Sequence, residues 1–159
     1  MAKLTHFDKM GKAKMVDVSK KGETVREAVV RGSIFMKPVT FRSILSGRIS
    51  KGDVFAVARV AGIMAAKRTA EIIPMCHPLN LSHVEINFYP SEKESRIDIE
   101  AIVKIKAQTG VEMEGLVAVA TAGLTIYDMC KAIDRGMVIS DIHLAKKTGG
   151  KSGTYVAKR

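Results

Sequence analysis

The sequence predicts an α+β fold, a ferredoxin-like βαββαβ two-layer sandwich with helices on one face of an antiparallel sheet and an extra short helix after the first strand. Three observations point there. Residues 83–105 alternate apolar and polar on both sides of Pro90-Ser-Glu-Lys-Glu94, the pattern of an antiparallel hairpin with one wet face. The uncharged run from Leu116 to Tyr127 is too long for a strand and reads as a buried helix. A second apolar run, 54–71, opens on Asp53, a good helix N-cap.

In chain order, residues 1–14 are polar and aperiodic and are expected to form a flexible arm. Met15 to Val18 is short and ambiguous. Thr24 to Met36 is rich in β-branched residues and reads as a strand with a bulge at Gly32. Pro38 suits the first turn of a short helix reaching Ser46, with Gly47 just past its end. The helix 54–71 carries Ala56, Ala58, Ala61, Gly62, Ala65 and Ala66, so it is apolar nearly all round and needs cover on two sides. Pro74 and Pro78 hold 73–79 in a rigid, extended connection. In the hairpin, Val84, Ile86, Phe88, Ile97, Ile99, Val103 and Ile105 face inward. After the central helix, Asp134-Arg-Gly136 makes a turn and Met137 to Leu144 a last strand, with Asp141 and His143 on its solvated face. Residues 15–145 then form one domain, and 146–159 a basic C-terminal tail. Two such apolar helices with no second layer over them predict self-association.

A chain of 159 residues with 47% hydrophobic content can bury a core unaided. Its net charge of +10 calls for an acidic partner, a polyanionic ligand or only solubility. Cys76 and Cys130 are too few for a disulfide framework and read as reduced cytosolic thiols. The N-terminus lacks the apolar region of a signal peptide and no window approaches a membrane span, so a cytoplasmic location with no membrane partner is expected.

The chemistry-bearing residues form several groups. Glu112 and Glu114 flank Met113 ahead of the uncharged helix, and Asp128 and Lys131 close it. Their i,i+3 spacing permits an ion pair, either for proton transfer or as a solvated helix end. Lys51 precedes the N-terminus after Asp53, where an ammonium and backbone N–H groups suit an anion, unless it is only an exposed turn lysine. His77, held between fixed neighbours on the proline-bracketed loop, is suited to bind a ligand edge or to move a proton. Zinc is disfavoured, because Cys76 and His77 are adjacent, no C-x-x-C occurs, and Cys130 and His83 stand at no recognisable spacing. Lys147-Thr-Gly-Gly-Lys-Ser-Gly153 is not a Walker loop: Ala145 stands where the first glycine belongs and no helix follows Ser152.

Ile73-Pro-Met-Cys-His-Pro78, Thr109-Gly-Val-Glu-Met-Glu-Gly115, Tyr127-Asp-Met-Cys-Lys131 and Lys146-Lys-Thr-Gly-Gly-Lys-Ser-Gly153 together resemble the cyclic pyranopterin monophosphate synthase family of molybdenum cofactor biosynthesis. The resemblance runs in order from about Asp8 to Tyr155. Its one departure at the positions that matter is Met75, where the family usually has leucine, an apolar exchange. The resemblance implies a lyase that rearranges (8S)-3′,8-cyclo-7,8-dihydroguanosine 5′-triphosphate to cyclic pyranopterin monophosphate with loss of pyrophosphate. It implies a homohexamer, a trimer of dimers with pockets at dimer interfaces. It also implies Asp128 and Lys131 as the catalytic pair, and Met75, Cys76, His77, Glu112, Met113, Glu114, Lys51, Arg26 and Lys147 as substrate-binding residues.

That chemistry suits the residues. Glutamates accept paired hydrogen bonds from a guanine edge, and Lys51, Arg26 and Lys147 suit a triphosphate whose leaving group gains negative charge. No tightly bound cofactor is expected; Mg²⁺ on the triphosphate is compatible, and no dedicated metal cage is visible. If Glu114 and Asp128 share one unbroken helix, they lie roughly 21 Å apart, too far for one nucleotide. Either the segment before Leu116 folds back, or subunits share each pocket, as favoured here.

The competing class is a ferredoxin-like RNA-binding module, since the chain is basic and the element order is the same. Its third strand would need stacking aromatics, yet Ser95 to Val103 offers acids and aliphatics, and only 5% of the chain is aromatic. No nucleic-acid partner is therefore expected. An assembly scaffold would explain the apolar helices and leave the acidic and Asp/Lys clusters without a role.

Overall fold

Helix, sheet and turn are defined for residues 10–158 of this computed structural model. Of the expected N-terminal arm, residues 1–9 lie outside the described residues, and Met10 to Lys14 are exposed. The elements run β1 (Thr24–Phe35), α1 (Pro38–Leu45), α2 (Val54–Lys67), α3 (Thr69–Ile72), β2 (His83–Ser91), β3 (Arg96–Ala107), α4 (Glu112–Cys130), β4 (Val138–Thr148) and β5 (Tyr155–Val156). The strands form one sheet in the order β2-β3-β1-β4-β5, each neighbouring pair antiparallel. This is the expected ferredoxin-like sandwich with a short strand added at one edge.

The core lies between the sheet and α2 and α4. Val30, Ile34, Ile97 and Ile99 from the sheet meet Ala118, Val119, Ala122 and Ile126 of α4 and Ala58 and Ala66 of α2. Alternation on β3 makes this possible, because every second residue from Ile97 to Ile105 is buried. Small residues bring the two helices close together. A methyl group on Gly62 would lie 2.9 Å from the Ala118 carbonyl oxygen and would strike Ile86. Gly62→Ala should therefore destabilise the fold by a net ~1–2 kcal/mol, overpacking outweighing the gain in helix propensity. A lower urea midpoint at unchanged m-value would show it.

Several expectations are corrected. The helix expected over 54–71 ends at Lys67, because buried Thr69 turns its hydroxyl back to donate to the Ala66 carbonyl at 3.0 Å and starts α3. The bulge expected at Gly32 belongs to the facing strand. Arg31 pairs with His143 and Ser33 with Ser140, so Asp141 and Ile142 both oppose Gly32, and Asp141 takes a φ of 57°. A side chain at Gly32 would meet Val119 at 2.7 Å, so glycine is there to admit α4. The last strand, expected to end at Leu144, reaches Thr148. The tail expected from 146 is consequently part of the sheet at its start, and Tyr155 and Val156 return to pair with Lys147 and Lys146. Finally, α4 meets the length and mean hydropathy, 1.2, of a membrane span, contrary to expectation; Ala118, Val119, Ala122 and Ile126 on it are wholly buried in the core.

Two surface features matter later. Val57, Val60 and Met64 on α2 and Leu124 on α4 are exposed, by 44%, 57%, 47% and 58%, an apolar stripe of the kind that marks association. At the β2 edge, Arg59 of α2 donates from Nε to the Ile86 carbonyl at 3.1 Å and lies over the Phe88 ring. Pro90 removes one donor from that strand.

Candidate active site

The N-terminal end of α4 and the proline-bracketed loop enclose one cleft. Its volume is about 310 Å³, and Met75, Cys76, His77, Glu112, Met113 and Glu114 all line it. The sequence-predicted acidic segment and the predicted loop are thus brought together in one chain. Val16, Val18, Lys21, Leu79, Thr109 and Gly110 complete the wall. The first three escaped sequence reasoning, since 15–21 shows no periodicity; the only available signal was its position just ahead of β1. His77 secures this segment by donating from Nε2 to the Val16 carbonyl at 2.8 Å.

Glu114 is 3% exposed. Burial, reinforced by the negative charge of Glu112, pushes its carboxyl up to about 7 against a bond from its own N–H. Burial and the nearby Glu114 also raise the Cys76 thiol. Glu112 is engaged differently: Lys147 donates to its Oε1 at 2.9 Å, and its carboxylate folds against Gly110, where a Cβ would collide with it. Arg26, on the adjoining strand, donates from Nε to the Ala107 carbonyl at 3.1 Å and from Nη2 to the Gln108 carbonyl at 3.0 Å. It braces the loop that leads into Glu112.

The raised Glu114 carboxyl makes stability depend on pH. Folded protein keeps a proton that the unfolded chain releases near 4.5, so the stability of the neutral form is full below that value and lost as pH rises through about 7. Glu114→Gln, a neutral isostere, should remove the loss. Its advantage over wild type in urea unfolding should grow to about 2–3 kcal/mol between pH 4.5 and 8.

The second cluster lies at the far end of α4. Asp128 accepts from Lys131 Nζ at 2.7 Å and from Lys51 Nζ at 2.9 Å, and Lys51 also donates to the Asp128 carbonyl at 2.9 Å. An ammonium at the C-terminal turn also complements the helix dipole. The Lys131 bond, then the Lys51 bond, hold the Asp128 carboxyl down to about 2. Asp128 in turn raises Lys131. At any working pH the pair starts as carboxylate and ammonium, one able to accept a proton and the other to give one. Buried Asp134, just beyond, accepts from the Lys37 N–H at 2.8 Å and the Gly136 N–H at 2.9 Å, tying the turn after α4 to the start of α1.

The two clusters do not meet within a chain. Helix α4 is unbroken from Glu112 to Cys130, so fourteen residues put Glu114 and Asp128 roughly 21 Å apart. A segment folding back before Leu116 is thereby excluded. The open sheet face holds a larger hollow, about 560 Å³, lined by Arg31, Tyr89, Arg96, Asp98, Glu100 and His143 among others. None of the predicted site residues lines it, and its charges pair among themselves, Arg31 with Glu100 and Arg96 with Asp98, each at 2.8 Å.

Residues 15–150 match the MoaC family. A cyclic pyranopterin monophosphate synthase of Heliobacterium modesticaldum is 60% identical over 98% of both chains. One of Thermoanaerobacter pseudethanolicus is 62% identical over 96% of both. One of Desulforapulum autotrophicum is 55% identical over 100% of this chain and 98% of its own. With a family match over most of its length and relatives this similar end to end, the chain belongs to the MoaC family.

Proposed function

We propose that this chain converts (8S)-3′,8-cyclo-7,8-dihydroguanosine 5′-triphosphate to cyclic pyranopterin monophosphate with release of pyrophosphate, as a lyase of molybdenum cofactor biosynthesis. The observation that carries it is that a chain of the MoaC family, with relatives named cyclic pyranopterin monophosphate synthase, holds both an acidic cleft and a lysine-flanked aspartate. Buried Glu114 and its neighbour Glu112 suit the guanine edge, and Met75, Cys76, His77 and Met113 shape the cleft around it. Lys147, Lys51 and Arg26 suit the phosphates. Rearranging the ring and closing a cyclic phosphate both require proton movements, which Asp128 and Lys131 supply as acceptor and donor. Mg²⁺ would be held by triphosphate oxygens. Among the described residues no three His, Cys, Asp or Glu side chains gather into a metal-binding group.

The working form is proposed to be a homohexamer, a trimer of dimers, in which one subunit's acidic cleft faces another's Lys51–Asp128–Lys131 cluster. Two features support this: the separation of the clusters along α4 and the apolar stripe on α2 and α4. A cytoplasmic location agrees with Cys76 and Cys130, both free thiols. The RNA-binding alternative finds no support, because the open faces of the central strands carry the ion-paired Arg31, Arg96, Asp98 and Glu100, and Phe35 there lies under the Arg96 guanidinium and is not free to stack on a base.

The test is incubation of purified protein with the cyclised nucleotide. Pyrophosphate and the cyclic product should appear in equal amounts, and no pyrophosphate above a protein-free control would overturn the proposal.

A further inference from the structure

The turn that follows β4 crosses over the start of β1 with no side chain between them. Gly149 and Gly150 have φ values of 88° and 73°, a region glycine enters freely. Room is as important as conformation here. A Cβ on Gly149 would run into the backbone carbonyl of Val25, and one on Gly150 into the Arg26 guanidinium. Beneath the turn, Arg26 grips the Ala107 and Gln108 carbonyls. Just before it, Lys147 holds Glu112, and β5 then fastens the returning chain by pairing Tyr155 with Lys147.

We infer that the Gly149–Gly150 turn is a positioning element of the site: by seating directly on Arg26 it fixes that guanidinium, the 107–110 loop and Lys147 in the arrangement that receives the substrate's phosphates. This rests on the proposed reaction and adds to it which backbone feature sets the basic groups. Gly153, whose N–H donates to the Gly150 carbonyl at 3.1 Å, supplies a control within the same turn. Its φ is 66°, yet a Cβ there would meet nothing within 4 Å, so alanine at 153 imposes backbone strain without obstructing any close approach.

The experiment compares Gly149→Ala, Gly150→Ala and Gly153→Ala in the full chain, by steady-state kinetics on the cyclised nucleotide and by amide hydrogen exchange over 107–112. Gly149→Ala and Gly150→Ala should raise KM by roughly tenfold or more, because basic groups shifted by about 1 Å lose their hold on a bound ligand. Their kcat should change little, since Asp128 and Lys131 lie at the other end of α4. Exchange over 107–112 should quicken in both, and Gly153→Ala should match wild type in KM and exchange. A fall in kcat with KM and exchange unchanged is mere loss of folded protein and overturns the inference, as does an equal effect of Gly153→Ala. Should wild type release no pyrophosphate, the proposed reaction falls, and exchange alone decides the turn: quickening confined to the 149 and 150 variants upholds it, and no quickening overturns it.

Discussion

Lys131→Ala should lower kcat by about 10²–10⁴, the usual contribution of a positioned proton-transfer group, with little change in stability. Lys131 and Asp128 are more than half exposed, and exposed ion pairs contribute little to folding. Their closeness serves the ionisation state of the pair instead. Removing Lys131 deletes the largest influence holding Asp128 at about 2, so the carboxyl should move up toward its ordinary value while Lys51 still restrains it. The converse change, Asp128→Asn, removes the first cause of the raised Lys131 and should let that ammonium fall back toward its ordinary value. Steady-state kcat, thermal unfolding, and NMR titration of the Asp128 carboxyl in Lys131→Ala and of the Lys131 ammonium in Asp128→Asn would measure all four. A loss of kcat under tenfold in Lys131→Ala would take the pair out of the proposed proton transfer.

Mixing two inactive proteins should restore activity. Asp128→Ala removes the acceptor from one end of α4 and Glu114→Ala removes the buried carboxyl from the other. If each working pocket is built from two chains, a mixed pair carries one site with both lesions and one with neither. Random reassembly makes half the pairs mixed, so about a quarter of wild-type activity should return in a symmetric dimer unit. The proteins must be dissociated and reassociated together, and size-exclusion chromatography should show the same assembly before and after. No recovery in a verified mixed oligomer would mean that pockets are not shared. Recovery is expected because α4 is a continuous helix and one nucleotide does not reach along it.

Much of this was legible in the residues, for reasons that differ by element. The hairpin was readable because β2 and β3 each turn a single face to the helices, leaving period-two alternation intact. Helix α4 was readable from its uncharged middle, although its start lies at Glu112 and not at Leu116. The end of α2 was not, because it depends on a buried hydroxyl of Thr69 finding a carbonyl, and composition carries no mark of that. The lysines at 146 and 147 read as tail because charge usually marks solvent. Here they alternate on a strand that β1 and β5 hold from both sides. Of the candidate site, both clusters were visible as motifs, but the cleft wall from Val16 to Lys21 was not. That wall is irregular backbone to which His77 bonds at the Val16 carbonyl, and its place follows from tertiary structure alone.

The Arg59 contact on β2 bears on how copies of the chain meet. A free strand border is a template on which other chains can add strands without limit, ending in aggregates. With a guanidinium on the Ile86 carbonyl and a proline further along, that border is blunted. Sticky helices beside a guarded strand border favour closed assemblies over fibres. The side chain that blunts this border therefore comes from the same helix, α2, that carries most of the exposed apolar stripe.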